Sequence, residues 1–449
     1  MQRTLFLIPH ELGPLPVFGL GWAALLVLVG FLLRAGWIIQ RERRPTDAPA
    51  RAGKPSSPSA SLASALMGES FIWLVAAAIV IFILPTIEIA GVGGNPVGLP
   101  IRGYGFFLVL ALIASITLAT ARVRRAGLNP DLVYALAPYV FIGGIVGARL
   151  FFVIQYRDSF IGDSIGQTIR NVMAFTEGGL VVYGAFIGGF LAFLVFNYRH
   201  RLPLFRFGDA IIPCLFIGLF FGRIGCLMNG CCYGGRCEPD WASIRFPPIN
   251  KVYQEQLRSG ELLGMRIDPD TGRIESVESG SLADRLGIDV GERYEYGQPT
   301  YPPTESIDPN IPEEDVVPGW VMVVEGETFE LSPSQLPPRS LPVRAAQLIS
   351  SFSGIVLCVF LCVLSRYIRR PGVLMFVGFA SYAIARFILE IVRTDERGQF
   401  NTSLTISQWV SVGVLTLSVG GLVYIYRFAS DDGSGSASSS MTGSPQSAK

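Results

Sequence analysis

Nine stretches of the chain carry the run of about 20 mostly apolar residues that a helix needs to cross a bilayer. They are 17–39, 71–92, 103–121, 131–154, 179–198, 209–229, 344–365, 372–392 and 405–426. The polar positions between them are spread unevenly. Arg41, Arg43, Arg44, Arg51 and Lys54 follow the first stretch, and Arg122, Arg124 and Arg125 the third. Arg199, Arg201 and Arg206 follow the fifth, and Arg366, Arg369 and Arg370 the seventh. The short loops on the other side hold only Arg102, Arg157, Arg170, Arg393 and Arg397. Basic residues collect on the cytoplasmic side, so this bias predicts an outside N-terminus and an inside C-terminus, in keeping with an odd number of spans. The expected fold is an all-α polytopic membrane protein of about nine transmembrane helices. The first stretch is too long for a cleavable signal, and arginines follow it instead of a small-residue cleavage site. The Pro/Ser/Ala/Arg stretch 45–64 reads as a cytoplasmic linker, and Asp431 to Lys449, rich in Ser and Gly, as a disordered tail.

Composition supports this reading and adds one element. Half of the 449 residues are hydrophobic and 16% are charged, against about 25% charged in ordinary soluble domains. That excludes a disordered chain and argues against a soluble enzyme. The formal net charge of +1 is the sum of two unlike regions: residues 230–343 carry a net −11 and the remainder +12. An acidic segment of over a hundred residues between two spans is large enough for a small extracytoplasmic domain, mixed α/β or β-rich.

Charges inside spans are expensive and usually mark function. With the orientation above, Arg149 and Arg223 lie near the outer ends of spans four and six. Arg386, Glu390 and Arg393 share one face at the outer end of span eight. Glu88 and Glu177 lie at the same level, whereas Asp209 and Arg34 sit at inner ends where snorkelling suffices. Guanidinium groups match phosphate with forked donors. Three arginines gathered at the outer headgroup level therefore predict a pocket for an anionic, phosphate-bearing amphiphile.

Two glycine-rich stretches sharpen the expectation: Glu177-Gly-Gly-Leu-Val-Val-Tyr-Gly-Ala-Phe-Ile-Gly-Gly189 and Gly222-Arg-Ile-Gly-Cys-Leu-Met-Asn-Gly-Cys-Cys-Tyr-Gly234. Small residues let membrane helices approach closely, which accounts for Gly184, Gly188 and Gly189. The Gly-Arg-Ile-Gly run with Asn229 beyond it resembles the signature of the prolipoprotein diacylglyceryl transferase family. Arg102-Gly-Tyr-Gly-Phe106, Gly147-Ala-Arg149, the Pro342–Gln347 segment and Arg386-Phe-Ile-Leu-Glu390-Ile-Val-Arg393 are similar to further family segments, over most of 99–229 and 342–427.

The resemblance implies transfer of the diacylglyceryl group of phosphatidylglycerol to the lipobox cysteine thiol of prolipoproteins, in a bacterial inner membrane, with no cofactor. It implies that Arg223 and Arg386 hold the phosphate, with Arg149 and Arg393 nearby, while Glu390 and Asn229 orient the site. The partners are then phosphatidylglycerol, the prolipoprotein lipobox segment and the bilayer, with no role for nucleic acid. Seven spans are usual in the family, so the division expected is 1–98, two additional helices with their linker; 99–229, first part of the core; 230–343, the insert; 344–427, second part of the core; and 428–449, the tail.

The chain departs from the family where Cys226 and Cys231 stand for the signature's Asn and Glu, and at a third, more telling place. Tyr183 stands where the family carries a histidine, and the chain has only His10 and His200. Tyr183, Tyr104 and Glu390 are the candidate catalytic groups in its stead. A non-catalytic protein that binds anionic lipid and recruits an exported partner through the insert is the alternative.

Cys226, Cys231, Cys232 and Cys237 cluster at the exit of span six. Disulfides form in that compartment, so a bond from Cys231 or Cys232 to Cys237 ranks first. Free thiols rank second and a metal site last, since no histidine is near. Within the insert, Ile274–Glu292 resembles the PDZ core pattern, with a helix over 281–286. A sheet edge there would receive an extended, exported peptide.

Overall fold

The computed structural model describes residues 4–43, 70–157, 160, 165–173, 181–392, 402 and 404–428. The proposed linker 45–64, the tail, Glu177 and Arg393 lie outside the described residues. The chain divides into two compact units. One holds Met1–Phe106, Met228–Cys231 and Ile244–Pro342; the other holds Phe107–Leu227, Cys232–Ser243 and Val343–Lys449.

The first unit joins the N-terminal additions to the acidic insert. Strand β1 (Thr4–Pro9) leads through a small hairpin, β2 (Glu11–Leu12) and β3 (Leu15–Pro16), into helix α1 (Trp22–Arg43). Helix α2 (Ser70–Ile87) returns and packs on α1 where Gly30 leaves room for the Trp73 ring. The expected second span ran to residue 92, but the helix stops at Ile87. Glu88 turns out of it to meet His10 Nδ1 at 2.7 Å, and the chain continues as strands β4 (Ile89–Ala90) and β5 (Pro96–Arg102). The first span likewise starts at Trp22 and not at 17, because the hairpin and the left-handed Gly19 precede it. Strand β5 lies between β1 and β4, antiparallel to both.

The insert within this unit is built around Leu263, Met265, Ile274, Ala283, Trp320 and Met322. Helix α8 (Lys251–Arg258) covers the hairpin β6 (Met265–Ile267) and β7 (Ile274–Val277) and a meander of β8 (Tyr294–Thr300), β9 (Gly319–Val324) and β10 (Glu327–Leu331). The helix expected at 281–286 is present as α9 (Leu282–Arg285), capped by Ser281 Oγ. The insert is clasped to the N-terminal sheet: Glu314 accepts from Arg102 at 2.6 Å and from Thr4 at 3.3 Å.

The second unit is helical. It contains α3 from Phe107 onward (Gly103–Arg125 in full), α4 (Asp131–Gln155), α5 (Ile165–Met173), α6 (Val182–Arg199) and α7 (Leu204–Asn229, to Leu227). After the insert follow α10 (Ala346–Leu364), α11 (Val373–Val392) and α12 (Ile406–Phe428). Among the described residues, eight helices of the chain are long and apolar enough to cross a membrane. The remaining expected span, 179–198, is α6. The exposed surfaces of these helices are apolar, as lipid contact requires: Leu150, Phe186, Leu191 and Phe352 all face outward.

Candidate active site

Tyr183 is placed by a seam of bare backbone. Gly147 of α4 faces Gly184 of α6, and Gly143 faces Gly188, so closely that a Cβ on any of them would strike the opposite carbonyl or side chain. Val181 N donates to Ala148 O at 3.2 Å and fixes where α6 begins. The antiparallel pair thus sets the depth of Tyr183, in the first turn of α6, without any side chain able to yield.

From Tyr183 a chain of polar groups crosses to α11. Its phenol oxygen lies 2.5 Å from Ser407 Oγ, and Arg386 Nη2 donates to the same oxygen at 2.9 Å. Arg386 Nη1 pairs with Glu390 Oε2 one turn on, and the other carboxylate oxygen accepts from Thr405 Oγ1 at 3.2 Å. The start of α12 holds these acceptors in place through a reciprocal cap. Gln408 N donates to Thr405 Oγ1, and Thr405 N donates to Gln408 Oε1. The Glu390 side chain is wholly buried and Ser407 is 2% exposed. A buried carboxylate is tolerated here because a guanidinium and a hydroxyl both donate to it.

Arg223 reaches the same level along a neighbouring helix. Helices α7 and α11 run side by side in parallel, with Gly208 against Met375, Ile212 against Gly378 and Phe216 against Tyr382. Carried one turn further, that register puts Phe220 level with Arg386 and Arg223 level with Leu389. Arg223 is half-buried, and among the described residues it makes no hydrogen bond or ion pair. Two of the five guanidinium donors of Arg386 are used. One open and one partly open guanidinium thus lie at one depth in the helix pair, and guanidinium donors match anionic oxygens.

The other expected residues are distributed more widely. Arg149 is 5% exposed; its Nε donates to Val172 O at 2.9 Å and its guanidinium lies over Phe160 at 5.1 Å, so it straps α5 to the end of α4. Asn229 ends α7 and Tyr104 opens α3, where Gly103 meets Met228. Cys231, Cys232 and Cys237 follow closely on the end of α7. Cys232 sits in a tight turn at φ 60, and burial pushes the Cys237 thiol up against the pull of Arg344. Arg344 also donates to Asp240, and that hydrogen bond holds the Asp240 carboxyl below its usual range.

Two groups at the inner ends have more to do than the sequence suggested. Asp209 does not snorkel: its carboxylate accepts from Gly372 N at 2.6 Å and Met375 N at 2.7 Å, pinning the start of α11. Arg122 donates to the carbonyls of Ala210 and Asp209 and to Ser365 Oγ. Ser407, Thr405 and Gln408 also went unnoticed in the sequence. The Thr-x-x-Gln spacing at the head of an apolar run was the available signal.

A helical membrane protein with a half-buried arginine pair at one end of its helices is the class these observations define. The family model described as "Prolipoprotein diacylglyceryl transferase" matches residues 95–424. A Rhodopirellula baltica protein named phosphatidylglycerol–prolipoprotein diacylglyceryl transferase is 42% identical, over 93% of this chain and 88% of its own length. A Bdellovibrio bacteriovorus protein of the same name is 27% identical over 74% of this chain and 90% of its own. One from Deinococcus radiodurans is 32% identical over 34% and 46%. The chain belongs to the prolipoprotein diacylglyceryl transferase family.

Proposed function

We propose that this protein transfers the diacylglyceryl group of phosphatidylglycerol to the lipobox cysteine of prolipoproteins, the first step of bacterial lipoprotein maturation. The observation that carries the reading is Arg223, a half-buried guanidinium with no partner among the described residues, level with the Arg386–Glu390 pair. The lipid phosphate docks between Arg223 and Arg386. The lipobox thiol attacks the glycerol carbon that bears the phosphate. A sulfur–carbon bond forms, the carbon–oxygen bond breaks, and glycerol phosphate departs with the electron pair. Donors fixed in a site of low dielectric stabilise the charge that gathers on the leaving phosphate. Glu390 keeps Arg386 in register, Tyr183 lies where the thiol proton is taken up, and Arg149 serves as a strap. Asn229, Tyr104 and Arg393 remain further candidates for contacting the substrates.

The location that fits is the inner membrane, with the N-terminus and insert outside. The arginine-rich loops support that orientation. So does the pairing of β1 with β5, because two spans between them return the chain to one side. The N-terminal additions and the insert act as an accessory unit that meets the exported substrate. Its cavity of about 630 Å3, lined by Ile89, Ala90, Tyr301, Glu313 and Glu314, suits an extended peptide, as does a PDZ-like strand edge.

The test supplies purified protein with phosphatidylglycerol vesicles and a lipobox peptide. The peptide is expected to gain the mass of one diacylglyceryl group, with glycerol phosphate released in equal amount. An unchanged peptide, under conditions where another family member modifies it, overturns the reading.

A further inference from the structure

We propose that Ser407 is a relay between Tyr183 and the phosphate held at Arg386, carrying the thiol proton to the leaving group. This rests on the transferase reading and adds a residue to it. Ser407 is buried in the first turn of α12, its oxygen 2.5 Å from the Tyr183 phenol and 2.9 Å from Arg386 Nη2.

The donor inventory fixes what this oxygen can do. A guanidinium only donates, so Arg386 occupies one lone pair of Ser407. The serine proton and its second lone pair remain for Tyr183, and either hydroxyl can be the donor across that contact. A hydrogen bond able to run in both directions is what proton transfer through a hydroxyl requires. Glu390 does not compete for the role. One of its oxygens is held by Arg386 and the other by Thr405, so it fixes the cation and leaves the relay to the hydroxyls.

The step balances without a co-reactant. As the sulfur–carbon bond forms, the thiol proton passes to the Tyr183 oxygen. The phenol's own proton passes to Ser407, and the serine proton passes to the leaving phosphate oxygen at Arg386. Both hydroxyls are regenerated with their hydrogen bond reversed, and rotation of the two O–H groups restores the starting direction. The thioether product carries no extra proton, and glycerol phosphate leaves with the one the thiol lost. Ser407 is therefore a catalytic residue of this scheme: it takes the phenol proton from Tyr183 and hands its own to the leaving phosphate oxygen.

The experiment compares wild type with Ser407→Ala, Ser407→Thr, Tyr183→Phe and the Ser407→Ala/Tyr183→Phe double variant, in the peptide transfer assay. With Ser407→Ala, kcat is expected to fall about 100-fold, the scale of general acid–base assistance, while KM for phosphatidylglycerol changes little. Ser407→Thr keeps the hydroxyl and is expected to restore most of the rate. It should also retain the solvent deuterium isotope effect on kcat, which Ser407→Ala changes. The double variant is expected to be no slower than the worse single one, since both cut the same chain. Additive losses, an isotope effect unmoved by Ser407→Ala, or equal losses in the Ala and Thr variants each overturn the relay. A wild type that leaves the peptide unmodified overturns the transferase reading itself, so the two failures are told apart by the first arm.

Discussion

Helices α7 and α11 carry charge at both ends of their shared length, and the two ends treat it differently. At the inner end two charged groups, Asp209 and Arg122, are consumed by the fold. Asp209 holds two backbone N–H groups of the α11 start, and Arg122 is spent on two carbonyls and a serine. At the outer end Arg223 meets no partner among the described residues, and Arg386 keeps three donors open. Membrane charges are costly in both places. The inner cost is offset by protein groups, so those charges build structure. The outer one is not offset by protein groups among the described residues, and the proposed lipid phosphate would offset it.

Substitutions can break this contrast, and the strongest should act at the outer end. Arg223→Ala is expected to lower transfer by about 100- to 1,000-fold, the usual loss when a preorganised donor to a developing anion is removed. Its melting temperature in detergent should stay near that of wild type, because no internal bond is lost. A large drop in melting temperature would make Arg223 a structural charge after all. Asp209→Ala is the mirror image. Two N–H groups lose their acceptor, so stability is expected to fall by about 2 kcal/mol. The protein that remains folded should transfer at a near-normal rate, as read by denaturation midpoints beside specific activity.

Thr405→Ala tests the border between the two kinds of charge. It removes the cap of α12 and one donor to Glu390, and is expected to cost about 1 kcal/mol of stability. Transfer should fall less than in Arg223→Ala, with Thr405→Ser recovering both. The smallest effect belongs to the surface clip of Asp240 and Arg344. The folded-state pKa of Asp240 is lowered, so the clip contributes above the ordinary aspartate range and is lost as pH falls through the folded value. Wild type should therefore melt slightly above Asp240→Asn at neutral pH, the difference vanishing in acid. A difference that grows on acidification would contradict the assigned direction.

Much of this was legible in the sequence, for reasons that differ by residue. The spans are compositional, so eight of the nine expected stretches fall, among the described residues, on helices long and apolar enough to cross a membrane, and the ninth falls on α6; the ends misjudged are those set by tertiary contact. Residues 89–92 are apolar enough for a helix, yet the pairing of Glu88 with His10 and of Ile89 with Gly98 ends α2 early. Arg223, Arg386 and Glu390 announced themselves as charges in apolar surroundings. Ser407 did not, because a serine in a membrane span reads as a small packing residue until Tyr183 and Arg386 are seen on either side. Arg149 looked like its fellow arginines, and only the position of Val172 shows its guanidinium to be engaged elsewhere. The depth shared by Arg223 and Leu389 follows from a helix register, which no single segment encodes.

The pairing of β1 with β5 also sets an order of assembly. Strand β1 is made before its partner, which is synthesised only after both N-terminal helices, some ninety residues later. Glu314, which clasps Thr4 and Arg102 together, arrives about two hundred residues later still. Strand β1 must therefore wait, unpaired, through the synthesis of α1 and α2. A ribosome stalled before residue 314 should display an N-terminus open to protease, and one stalled well beyond it a protected N-terminus.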